Sequence, residues 1–216
     1  MFSKDNEANH DLPYAEVVPL SSRNQPDQAV TILGQLEQYW RGLCRTDGTP
    51  YRSDITASAL GPALPYAFLA ERVAASTLRL RVAGRELDLI AGMETRGLPL
   101  SALFSVPARK TLAEAIQTMT ERPALVEMPL SLPNGLLRRA QRGRMMLLPL
   151  RDDAGGLTRV MGAILLDDKV HGRMPVRLDI PEDQPIRVDP VPIWQNAQEK
   201  RPGDGRPALR LVVSND

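Results

Sequence analysis

The sequence has one cysteine, two histidines, few aromatic residues and almost no net charge, and each scarcity excludes something. Cys44 alone cannot form an intramolecular disulfide, which fits a reducing compartment. His10 and His171 both lie in polar flanking segments, so a Ser/His/Asp or Cys/His nucleophile would need one of them carried back into a core. Two isolated histidines and one cysteine also make a poor zinc set, and no metal site is predicted. A formal charge of +1 gives no reason to expect nucleic acid or an acidic membrane as partner. The basic run "LRRAQRGR" at 137–144 has no interleaved aromatics, so it reads as a solvated or partner-pairing loop rather than a nucleic-acid platform.

Long apolar runs are missing too. No window approaches eighteen uninterrupted apolar residues, so no spanning helix is expected. The opening "MFSKDNEANHDLPYAEVVPL" has no apolar stretch of the kind a secretory signal needs. The expectation is a soluble, cytoplasmic, single-domain protein with flanking arms. Glycines at 84, 92 and 97 sit too far apart for a dinucleotide fingerprint, and no lysine lies between Lys4 and Lys110 to complete a phosphate loop. They read instead as helix ends and turns. The carboxylate pairs Asp152–Asp153 and Asp167–Asp168 fall in a turn and at a strand end, where solvated aspartates are ordinary.

What is present is a sequence of changing periods. Residues 1–26 are polar and read as a flexible arm, 27–168 as the domain, and 169–216 as a proline-rich tail. In the 27–45 segment Val30, Leu33, Leu36, Trp40 and Leu43 recur at helical spacing, with Asp27 available as cap. "LPYAFLAERV" and "TLRLRVAG" make an antiparallel hairpin in which Glu71 falls opposite Arg79. Simple alternation there puts Leu78, Leu80 and Val82 on one face and Arg79 and Arg81 on the other. "RELDLIAG" is a short helix stopped by Gly92. "PARKTLAEAIQTMTER" is a longer one opened by Pro107, with Leu112, Ile116 and Met119 along its stripe.

Three further strand-like runs follow: "ALVEMPLSL", "RMMLLPLRD" and "LTRVMGAILLDD". The middle one is apolar on both faces, Met145 and Leu147 on one and Met146, Leu148 and Leu150 on the other. Such a sheet needs two covers. The short helices supply one; the N-terminal helix, or a second copy of the chain, must supply the other. Pro149 should mark a strand end, an edge or a bulge, because it has no amide to donate.

The order of hairpin, short helices, longer helix and three strands resembles a PAS domain. Specific wording carries the likeness: "YWRGL" at 39–43, "PYRSDI" at 50–55, "LPYAFLAERV" at 64–73, "LRVAGRELDLIAGMETRGLPLSALF" at 80–104, "MMLLPL" at 145–150 and "TRVMGAIL" at 158–165. It is similar to a stand-alone PAS-type family common in alphaproteobacteria, over roughly residues 30 to 167, and "RPALRLVV" in the tail resembles family endings. Thr56-Ala57 departs from the Asp-Pro that often follows the Asp-Ile turn in that family. The resemblance implies an α+β fold, a PAS-like five-stranded antiparallel sheet with short helices on one face; the N-terminal amphipathic helix and the extended C-terminal tail are read from periodicity and composition. It brings no catalytic residue and no known ligand.

No cofactor is expected. Haem-binding PAS domains use a histidine, usually on the longer helix, and "TLAEAIQTMTE" has none, which leaves only a nonclassical ligand such as Met119; flavin-photoadduct domains use a cysteine that "RELDLIAGMETRG" lacks. The role implied is a non-enzymatic sensory or regulatory module acting in trans through ligand- or partner-dependent association, since no kinase, cyclase or DNA-binding segment is attached. A structural adaptor with a filled core is the second reading, and a hydrolase or transferase the third. A ligand is expected between sheet and helices, near Phe68, Val82, Ile90, Met93, Leu103, Ile116 and Met145. A homodimer, or a protein partner met through the helix or tail, is expected to use Val30, Leu33, Leu36, Trp40 and Leu43.

Overall fold

A computed structural model describes residues 28–45, 48–132, 141–167 and 176–191. The expected cap at Asp27, both histidines, the arginines of 137–140, Asp168 and the far end of the tail lie outside the described residues. The elements run α1 (Gln28–Leu43), β1 (Ala67–Ala74), β2 (Thr77–Ala83), α2 (Arg85–Ala91), α3 (Ala108–Glu121), β3 (Ala124–Leu132), β4 (Gln141–Leu150), β5 (Arg159–Leu166) and β6 (Arg187–Pro190). Six strands form one antiparallel sheet in the order β2-β1-β5-β4-β3-β6.

Both faces of that sheet are covered, as the doubly apolar β4 requires. Side chains alternate strictly: Met145, Leu147, Val160 and Ile164 join α2, α3 and the Leu100–Leu103 turn in an inner core. Met146, Leu148, Leu150, Met161, Ala163 and Leu165 join α1 in an outer one. The outer cover is the chain's own: Leu33, Leu36 and Trp40 are buried against the sheet. The Trp40 indole N–H donates to the carbonyl of Pro149 at 3.1 Å. Pro149 lies beyond the last β3–β4 pair, Val126↔Leu147, so no β3 residue pairs with it there.

Gly92 ends α2 with φ 69° and ψ 16°, the left-handed geometry that glycine adopts without penalty. The chain then returns through Gly97 to the open edge of β2. There Leu80 accepts from the Gly97 amide at 2.7 Å and donates to Leu98 at 2.9 Å. The glycine-bearing stretch thus closes part of an edge strand.

Two expectations need correction. The hairpin does pair Glu71 with Arg79, but the register slips between Leu69 and Ala70: Leu69 pairs Val82 while Ala70 pairs Leu80. Arg81 is the extra residue of a β-bulge, and past it the alternation is reversed. Leu78 and Leu80 face the inner core, whereas Val82 does not. Glu71 accordingly forms ion pairs with Arg81 and, at 2.9 Å, with Arg159 rather than with Arg79.

The tail is the other correction. Part of the segment read as linker packs on the domain, adding a sixth strand to the five expected. Leu178 and Ile180 join the inner core and Val191 the outer one. Ser131 and Asp179 exchange backbone hydrogen bonds at 2.9 and 2.8 Å, and β6 pairs with β3 from Ala124 to Glu127. Pro129 sits on β3 between those two patches, where a missing amide leaves no ladder bond unmade.

Arg187 clasps this tail strand to α1 and β3. Its guanidinium meets Glu37 at 2.8 Å, Glu127 at 3.1 Å and Asp189, while Arg41 bridges Glu37 at 2.7 Å and Asp189 at 3.2 Å. Burial alone would raise the Glu37 carboxyl, but hydrogen bonds from Arg187 and Arg41 outweigh it and hold it below its usual range. The hydrogen bond from Arg187 lowers Asp189 as well. Groups depressed on folding stabilise the protein above their unfolded values and lose that contribution as pH falls through the folded ones. Replacing Arg187 with Gln should therefore lower the melting temperature at neutral pH, by an amount that shrinks toward zero below about pH 4. Partial exposure and screening keep the effect near ~1 kcal/mol. Paired thermal melts from pH 7 downward check it; a difference independent of pH would mean that the clasp is not electrostatic.

Candidate functional site

Beside α1 and β5 the outer cover is not α-helical. It is the segment Ala57–Tyr66, two 3-10 turns broken at Gly61, with Pro62 and Pro65 preventing a regular helix. Only Ala63 of this cap is fully buried. The cap is seated on the start of α2: a Cβ added at Gly84 would strike the Pro65 carbonyl and lie 2.7 Å from the Leu64 oxygen. Only glycine allows that approach.

Beside the cap the outer face is left open. A cleft of about 520 Å³ is bounded by the cap, by Leu69 and Val82 on the β1–β2 hairpin, and by Met161 at its floor. The bulge at Arg81 places Val82 here, 54% exposed, and the cap contributes Leu64, 46% exposed. Large apolar side chains left so open beside a concavity mark interaction sites. Among the described residues two cations, Arg52 and Arg85, are the only charged members of the lining. Arg85 pairs with neighbouring Glu86 at 3.3 Å. Arg52 uses its backbone amide on Arg151 at 2.7 Å.

The residues named from the sequence separate into two sets. Phe68, Ile90, Leu103, Ile116 and Met145 come together in the inner core, each at most 2% exposed. Val82 and Met93 do not join them. Val82 is turned outward by the bulge, and Met93, 59% exposed, follows the left-handed turn at Gly92 that carries the chain into solvent. Phe68 reaches both places, lying in the inner core and lining the outer cleft. Of the helical stripe, Leu33, Leu36 and Trp40 are spent on the chain's own sheet, Leu43 packs partly against it, and Val30 is left 48% exposed. A second copy therefore cannot use the three buried members while α1 stays docked.

Sequence reasoning missed Arg52, Ile55, Leu64 and Met161 as cleft residues. The available signal was the pair of prolines in "ALGPALPY", which forbids a helix over an apolar stretch.

Two aspartates away from the cleft hold turns and loops in the described residues. Asp152 accepts from the Thr158 hydroxyl and from the amides of Gly156 and Ala154, which hold its carboxyl below the usual range and fix the β4–β5 turn. Asp88 accepts from both the amide and hydroxyl of buried Thr95, at 2.8 and 2.7 Å. Burial pushes the Cys44 thiol up, away from the thiolate a nucleophile needs. Among the described residues no three His, Cys, Asp or Glu side chains gather as a metal site, and no helix is long and apolar enough to cross a membrane.

A family profile described as "PAS domain" matches residues 29–165. Similar solved structures include the light state of the blue-light photoreceptor Aureochrome1 LOV, 14% identical, with 50% of this chain and 82% of that one covered and a TM-score of 0.33. Another is an RNA-binding Light-Oxygen-Voltage receptor, 17% identical, with 70% of this chain covered and a TM-score of 0.33; this chain spans 36% of that receptor's length. No curated protein matches the chain.

Proposed function

The chain belongs to the PAS domain family, and on that premise we propose that it is a sensory or regulatory module that performs no chemistry of its own and acts in trans through ligand- or partner-dependent association. The observation that carries this reading is the open apolar cleft on the outer face, walled by a cap that is not locked into the sheet by strand pairing. A molecule entering there would touch the cap, β1 and β2 together, and the cap adjoins α1: the Tyr39 hydroxyl accepts from the Thr56 amide at 3.1 Å. Occupancy would thus bear on the packing of α1, whose outward side carries Val30 for a second copy or another protein. Neither haem nor flavin enters this proposal, since the longer helix offers no histidine and α2 no cysteine.

An adaptor that binds no small molecule is the second reading. The complete burial of Ile90, Leu103, Ile116 and Met145 favours it on the inner side of the sheet. Native mass spectrometry of the purified full chain at several concentrations separates the two. A retained noncovalent adduct, or an oligomeric state that changes with added ligand, is the expected result. A bare chain whose association is indifferent to every small molecule offered would leave the adaptor.

A further inference from the structure

We propose that the outer cleft is a binding site for a single-chain amphiphile with a carboxylate head, its tail lying along Leu64, Leu69, Val82 and Met161 and its head at Arg52. The proposal rests on the regulatory reading above and names the ligand class for that site. Three observations carry it. The cleft, at about 520 Å³, falls within the ~300–1,000 Å³ range of small-molecule sites. Its walls are almost wholly apolar, which suits a hydrocarbon and leaves too few donors for a nucleotide or sugar.

The charges in the lining are of one sign. Arg52 is half-buried, and among the described residues its guanidinium has neither a hydrogen-bond nor an ion-pair partner. Arg85 adds a second positive group already half-committed to Glu86. A planar guanidinium beside an apolar wall matches a carboxylate whose alkyl chain continues along that wall. A cationic head is disfavoured by both arginines, and a neutral one leaves Arg52 unused. The β-bulge is part of the site: without Arg81 as an extra residue, Val82 would point into the core and the cleft would lose one wall.

The test is isothermal titration of the full chain at neutral pH with decanoate, 1-decanol and decyltrimethylammonium, each below its aggregation threshold. Decanoate should bind at least about tenfold more tightly than decanol, and decyltrimethylammonium most weakly. Arg52→Gln should bring decanoate down to the decanol level. Val82→Asp should remove decanoate binding; because Val82 is exposed, that variant should melt like the parent. No binding of decanoate at millimolar concentration overturns the proposal. So does equal binding of decanoate and decanol, and so does decanoate binding that neither substitution weakens, which would place it elsewhere. An adduct of different chemistry retained in native mass spectrometry, with decanoate inert, would sink the amphiphile and leave the regulatory reading standing.

Discussion

Trp40→Ala should lower stability by about 3–5 kcal/mol, the range for removing a fully buried large aromatic. Trp40 is 0% exposed and is the largest side chain in the outer core. Its loss opens a void beneath α1 and also strips the Pro149 carbonyl of the indole N–H that it accepts at 3.1 Å. For a chain of this length such a loss moves the melting temperature down by about 6–20 °C. Trp40→Phe separates the two contributions, since it keeps most of the ring while leaving the carbonyl unpaired, and should cost about 1–2 kcal/mol. Sedimentation of parent and variants at several concentrations adds a second readout. With Trp40 spent on its own sheet, the alanine variant should melt earlier without first changing oligomeric state. A parent dimer that Trp40→Ala dissociates at temperatures where it remains folded would put the indole between two copies instead, and an unchanged melting temperature would deny α1 its place on the sheet.

The two-sided cover of this sheet was legible in β4, because an alternating strand apolar on both faces leaves no other solution. The sequence could not say which element would cover the outer face. A stripe such as Leu33, Leu36 and Trp40 satisfies its own sheet or a second copy with the same side chains, and only the loop geometry after α1 decides. The inner-core residues were legible for the same reason as β4: Ile90, Leu103 and Ile116 lie on periodic segments. Val82 was misplaced because a β-bulge has no compositional mark; "TLRLRVA" alternates perfectly, and the slip exists only relative to β1.

The tail was opaque for a different reason. Val176, Leu178 and Ile180 alternate with Arg177 and Asp179, but the run is short and enclosed by Pro175 and Pro181, and β6 has no buried residue of its own. Backbone pairing with β3 and the Arg187 clasp hold it, and both depend on partners more than fifty residues distant. The cleft was opaque for both reasons together: one wall comes from the bulge and another from a proline-broken cap.

Gly84→Ala should be the most damaging single methyl addition near that cleft, and it tests the seating of the cap directly. Gly84 has ordinary extended geometry, φ −72° and ψ 155°, so alanine meets no backbone strain there. The obstacle is contact: the new Cβ would run into the Pro65 carbonyl and the Leu64 oxygen, both backbone atoms with no rotamer to yield. The Gly84 amide is meanwhile tied to Ala67 at 2.8 Å, so neither side can retreat without breaking the entry to β1. Overpacking of this kind costs about 1–3 kcal/mol and occasionally more, and the rigid neighbours put Gly84→Ala at the upper end. Gly42→Ala is the matched control. That glycine lies in α1 with nothing within 4 Å of its added Cβ, so alanine should stabilise by about 0.5–1 kcal/mol through helix propensity. The same chemical change should thus shift the melting temperature in opposite directions at the two positions. Because displacing the cap reshapes the wall carrying Leu64, Gly84→Ala should also weaken decanoate binding while Gly42→Ala leaves it unchanged. A Gly84→Ala protein that melts with the parent would show that the cap does not rest on Gly84, and the wall carrying Leu64 would then be seated by other contacts.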